Sequence, residues 1–152
     1  MTTWRAMTAI VVLVASGCSV DADHDAIATA KRHLSDRKYQ EAVIVLKSAL
    51  QKNDQLAEAR YLLGTALLEQ RDGAGAMFEL QRAQALGLDS DQLTAKLART
   101  LVATGKSKEA VEKYGTTSLK DPKAQAELLT ALAGAYIKLG RLEQAESAVN
   151  AA

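Results

Sequence analysis

Residues 59–85 read ARYLLGTALLEQRDGAGAMFELQRAQA, and the fold turns on how they are read. Leu63, Gly64 and Leu67 mark one face of a first helical stripe, and Ala76, Leu80 and Ala83 mark one face of a second. The break at Arg71 to Gly75 joins them into a hairpin of two helices, neither of which buries its narrow stripe alone. The unit recurs. Ala76 has counterparts at Ala42 and Ala110, each 34 residues away, and Leu80 has Leu46 and Tyr114 at the same offsets. Gly64 lies midway between Ala30 and Ala98, and a fourth copy runs one residue late, with Ala133, Tyr136 and Ala145 standing for Ala98, Leu101 and Ala110.

A period of 34 residues, with small residues at fixed places in both helices, resembles the tetratricopeptide repeat. The resemblance covers residues 23–152 as about four repeats, 23–56, 57–90, 91–125 and 126–152. It implies an all-α fold, a right-handed solenoid of antiparallel helix pairs. The small residue at the eighth motif position is Ala30, Gly64, Ala98 and Ala133, and the alanine at the twentieth is Ala42, Ala76, Ala110 and Ala145. Small side chains there let neighbouring helices approach, so that stacking buries Leu46, Leu63, Leu80, Leu97 and Leu132. The motif's closing proline survives only as Pro122.

Composition agrees with a helical chain. Alanine and leucine dominate, aromatic residues make up 4% and there is one proline. The net charge is +1, and beyond Arg5 the two signs balance, so the clustered basic excess of a nucleic-acid-binding surface is missing. The first residues, MTTWRAMTAIVVLVASGCSV, carry one positive charge and an apolar run from Ala6 to Ala15 that is too short for a permanent span. Residues 1–17 are therefore expected to be a signal peptide. Ala15-Ser16-Gly17-Cys18 resembles the lipobox of bacterial lipoproteins, which implies a lipidated Cys18 followed by a short tether over 18–22 and an envelope location. Ser19 after it resembles the outer-membrane sorting pattern, which implies a protein facing the periplasm. Ala15-x-Gly17 also suits ordinary signal cleavage, but Cys18 is the only cysteine, and lipidation accounts for an exported protein with one thiol.

Punctuation along the repeats predicts helices of about 10 to 16 residues. Ser35-Asp36-Arg37-Lys38 is expected to supply turn and capping chemistry, Ser107 to cap the helix carrying Ala110, and Pro122 to open the fourth repeat at a first helical turn. Gly87, Gly105 and Gly140 read as helix stops. The last repeat brings no polar closing helix, so the array is expected to be truncated or to dock at that end.

No catalytic constellation appears: there is no phosphate-binding glycine loop, no zinc-protease helix motif, no Cys-x-x-Cys and no nucleophile elbow. His24 and His33 lie nine residues apart, face nearly opposite sides of one helix and read as solvated, so no metal, cofactor or small-molecule substrate is expected. The repeat family instead implies a concave groove lined by the first helix of each repeat. Carried over by register, its lining is Lys31 and Leu34; Tyr61, Thr65, Leu68 and Glu69; Arg99 and Val102, with Lys96 beside them; and Thr130, Gly134, Ile137 and Lys138. This reads as an apolar floor with cations, a surface for a protein or peptide partner, with Tyr61 and Arg99 as anchors. The Lys and Asn pairing with which some co-chaperone repeats clamp a terminal carboxylate is missing.

The order of parts, a lipobox-like start, KYQEAVIVLKSALQKNDQLAEARYLLG and then LARTLVATGKSKEAV, also resembles the N-terminal part of the tetratricopeptide lipoproteins of the exosortase/PEP-CTERM sorting system. That resemblance implies an envelope scaffold for exopolysaccharide export or protein sorting, without catalysis. Two other readings stay open: a pilotin-like lipoprotein of secretin or pilus assembly, and the repeat region of a longer enzyme.

Overall fold

The computed structural model describes residues 18–152; the expected signal peptide, residues 1–17, lies outside them. Eight helices follow one another: α1 (Cys18–Ser35), α2 (Tyr39–Lys52), α3 (Ala57–Glu69), α4 (Gly73–Ala85), α5 (Asp91–Ala103), α6 (Ser107–Tyr114), α7 (Pro122–Lys138) and α8 (Leu142–Asn150). Among the described residues no strand forms. Each helix packs on the next, giving four hairpins. The first helices also touch one another, α1 with α3, α3 with α5 and α5 with α7, whereas the second helices do not. The stack therefore curls with its first helices inside.

Turn chemistry repeats as strictly as the helices. Between the helices of each pair, a residue in the left-handed region is followed by an amide that reaches back five residues. The left-handed residues are Arg37, Arg71, Gly105 and Gly140. The bonds are Lys38 N–H to His33 O at 2.8 Å, Asp72 to Leu67 at 2.9 Å, Lys106 to Leu101 at 2.8 Å and Arg141 to Tyr136 at 2.9 Å. This closes the orphan carbonyls of each first helix. Gly87 does the same between α4 and α5, where Leu88 N–H reaches Ala83 O at 3.1 Å. At helix starts, Asp72, Ser90 and Asp121 accept from the amides of Gly75, Leu93 and Ala124, and Pro122 sits at the first turn of α7.

Several expectations need correction. Residues 18–22, expected as a short tether without periodicity, are helical and open α1, whose Asp23 accepts from Asn53 Nδ2 at 3.0 Å. Ser107 does not cap α6: Lys106 holds the N-cap position with no side-chain bond, and Ser107 enters the helix as its first residue, buried, with its hydroxyl unpartnered. Nor does the segment 35–38 cap α2, because Ser35 Oγ donates back to Arg32 O instead. Helix lengths spread beyond the expected range, from 8 residues in α6 to 18 in α1. His24 is exposed, but His33 is half-buried and its Nδ1 is shielded without a partner, so only the first is a solvated histidine.

The core falls into two clusters. One joins α1 to α4 around Leu46, Leu62 and Leu63, and the other joins α4 to α7 around Leu80, Leu97, Leu128 and Leu132. Ala30, Ala42, Gly64, Ala76, Ala98, Ala110, Ala133 and Ala145 are all buried. Their size is a geometric necessity at Gly64, where an added Cβ would lie 2.7 Å from Leu80 Cγ and 3.1 Å from Ala76 O. Each large side chain enclosed by this close approach contributes roughly 1.5–3 kcal/mol.

Candidate functional site: the inner face of the first helices

The inner face is a ladder of alternating charge rather than an apolar floor with free cations. Lys31 on α1 meets Glu58 on α3 at 2.6 Å. Further along, Arg99 on α5 meets Glu69 on α3 at 2.7 Å and Glu127 on α7 at 3.4 Å, while Lys96 meets the same Glu127 oxygen at 2.6 Å. Three successive first helices are thus tied by one relay. Lys138 donates to the carbonyl of Val102 at 3.0 Å, tying α7 to the end of α5.

Tyr61 and Arg99 differ in how free they are. Tyr61 is half-buried and packs against both core clusters, so it joins the two halves as well as lining the face. Burial is the main cause that pushes its phenol above the ordinary value; the Glu127 carboxylate adds to this and the Thr65 hydroxyl opposes it. Arg99 is held further toward its charged form, first by its hydrogen bond to Glu69 and against the cost of burial. Thr65 Oγ1 donates to Tyr61 O at 2.9 Å. Glu69, Lys96 and Thr65 are half-buried, and Lys31 and Lys138 are exposed.

Two depressions flank Arg99. One, of about 450 Å³, is lined by Lys96, Arg99, Ala126, Glu127, Thr130 and Ala131. The other, of about 430 Å³, is lined by Arg99 with Leu68, Arg71, Gly73, Ala74, Ala103 and Thr104. Of the expected apolar lining, Leu68 is buried, Leu34 and Val102 are half-buried, and Ile137 is well exposed. Thr130 is exposed and turns its hydroxyl back to Ala126 O.

Glu58 and Glu127 are the residues that the sequence reading missed. Both stand at the second motif position, one of the places that line the groove, so the register itself held the signal. Among the described residues no cluster of His, Cys, Asp and Glu is suited to a metal ion, and no helix is long and apolar enough to cross a membrane.

A family model described as tetratricopeptide repeat matches residues 27–90 and 95–152. The chain belongs to that family, whose repeats mark a protein–protein interaction scaffold. No curated protein matches the chain. Among solved structures it is similar to YrrB, described as a TPR protein with an unusual peptide-binding site, at 21% identity and a TM-score of 0.58, over 90% of this chain and 75% of that one. It is also similar to a point mutant of MamA, at 21% identity and a TM-score of 0.64, over 92% and 79%. At such identities the likeness speaks for the fold alone.

Proposed function

We propose that this chain is a non-catalytic scaffold that holds a peptide or protein segment on the inner face of α3, α5 and α7. The observation that carries this reading is the half-buried relay Glu69–Arg99–Glu127–Lys96 between two depressions. Its charges are already fixed by one another, so a ligand meets ordered donors and acceptors and little side-chain entropy is lost on binding. YrrB, which shares the fold, is described as having a peptide-binding site, which supports a peptide as the kind of partner.

The setting we propose is the bacterial envelope, with the array anchored through a lipidated Cys18, facing the periplasm from the outer membrane and supporting exopolysaccharide export or PEP-CTERM protein sorting. The lipobox-like Ala15-Ser16-Gly17-Cys18 supports the anchor, and acyl chains contribute roughly 0.8 kcal/mol per buried methylene. Intact mass and detergent partitioning of the natively expressed protein test it: mass beginning at an acylated Cys18, lost in Cys18→Ala, is expected, and an unmodified product cut after Gly17 refutes it.

The groove is tested by a photo-crosslinking amino acid placed at the exposed Thr130, beside a control at Phe78 on α4. A discrete adduct from Thr130 alone, in cells that carry the native gene neighbourhood, is expected. Equal labelling from both positions contradicts the groove reading.

A further inference from the structure

Gly134 is the one glycine among the described residues that the fold does not explain. Gly87, Gly105 and Gly140 take the left-handed conformation, and at Gly64, Gly73, Gly75 and Gly115 an added Cβ would crowd Leu80, Thr104, Asp72 and the Val111 carbonyl. Gly134 has neither reason. It lies inside α7, and a Cβ there would meet only Val102 Cγ1 of α5, at 4.0 Å, which is ordinary contact. Glycine is a poor helix former, so α7 gives up stability at this place for nothing that the fold gains.

The position is on the inner face. Lys31, Thr65 and Arg99 are its counterparts at the ninth motif position, and the first and third of them reach Glu58, Glu69 and Glu127 across neighbouring first helices. Each of the three has a following first helix beside it and still carries a full side chain, so helix stacking does not require a glycine there. Thr130 stands one turn before Gly134 and Lys138 one turn after it, and Lys138 ties α7 to α5 through the Val102 carbonyl at 3.0 Å. The depression lined by Lys96, Arg99, Glu127 and Thr130 therefore runs on along α7 to a bare stretch of backbone facing Val102.

We infer that Gly134 keeps open a seat for an apolar side chain of an extended partner segment held in the cleft between α5 and α7. The inference rests on the groove reading proposed above and adds the chemistry of the occupant. Peptide groups in mid-helix bond to one another, so the seat offers no free donor or acceptor, only backbone carbon and the Val102 methyl group. Such a surface favours an aliphatic or aromatic side chain over a polar one. Polar recognition is left to the relay. Glu127 and Gly134 are seven residues apart on one helix, about 10 Å, which an extended chain covers in about three residues. The bound segment thus carries a polar side chain and an apolar one about three positions apart.

The probe is a phage-displayed library of random heptapeptides selected on the intact protein, with the enriched peptides resynthesised, labelled and titrated by fluorescence anisotropy. The expected peptides share an apolar residue, one of Leu, Ile, Met or Phe, about three places from a polar one. Gly134→Leu, which fills the seat, is expected to weaken their binding about tenfold, the effect of losing one buried aliphatic side chain from an interface. In the free protein Gly134→Ala is expected to raise the melting temperature by about 2–4 °C, because it replaces a poor helix former where there is room for the methyl group. A lowered melting temperature for Gly134→Ala would show that the glycine serves the fold and would overturn the proposal. Enriched peptides without an apolar residue at a fixed place, or peptides that Thr130→Trp expels and Gly134→Leu does not, would overturn the seat and leave the groove reading standing. No enriched peptide, or binding unchanged by both substitutions, would overturn the groove reading and the seat together.

Discussion

Lys31–Glu58 and Arg99–Glu127 are the same ion pair by motif position, the ninth residue of one repeat with the second of the next, yet they live in different surroundings. In the first half of the array both partners are about half exposed, at 55% and 48%. In the second half the exposures fall to 38% and 24%, and Lys96, at 13%, joins the same carboxylate. Between them the pair lapses into Thr65 and Gln92, and Glu69 reaches Arg99 from the end of α3 instead. The cause is helix spacing. α6 is only 8 residues long and is followed by the connection 115–121, and α7 lies along α5 far more closely than α3 lies along α1. One motif thus yields a solvated pair or a half-buried clasp, depending on the length of the helix behind it.

The largest expected effect concerns the core beneath the clasp. Leu128→Ala, at a fully buried site, lowers stability by about 2–5 kcal/mol in urea unfolding, while Leu142→Ala on the exposed side of α8 changes it by less than about 0.5 kcal/mol. Equal effects would break the assignment of inside and outside. Next comes the close approach in the first half: Ala76→Leu costs about 1–3 kcal/mol by overpacking against α3, and the neighbouring exposed Phe78→Ala does not.

The turns sharpen the contrast at a smaller scale. The first half puts Arg37 and Arg71 in the left-handed region and the second half puts Gly105 and Gly140 there. Gly105→Ala adds a methyl group that meets nothing within 4 Å, so its cost of about 1–2 kcal/mol in thermal melting is conformational alone. The smallest effect is alkaline. Because the folded state raises the Tyr61 phenol above its ordinary value of 10.0, the folded state binds this proton more tightly than the unfolded chain. Its contribution is complete below pH 10 and is lost as pH rises through the folded value. Tyr61→Phe removes that part of the alkaline loss, seen as a shallower fall in melting temperature.

Much of this was legible in the sequence because the repeat states each position four times. Gly64 and the seven alanines could be placed by counting, and so could the inner helix face. What counting does not give is the distance between first helices, which depends on the short α6 and on the seven residues after it. Lys96 and Arg99 therefore read as cations facing a groove, when they are held by Glu127 and Glu69. Ser107 misled for a local reason: the turn at Gly105 advances the helix start by one residue and carries the hydroxyl inside, away from the free amides it would cap.

Two double-mutant cycles measure the comparison itself, Lys31→Met with Glu58→Gln and Arg99→Met with Glu127→Gln, read by chemical unfolding at one ionic strength. A half-buried clasp in the second half predicts a coupling of about 1–2 kcal/mol for Arg99–Glu127, between the surface and buried limits, and less than about 0.5 kcal/mol for Lys31–Glu58. Equal couplings, or a larger one for Lys31–Glu58, would contradict a pre-ordered inner face between α3, α5 and α7.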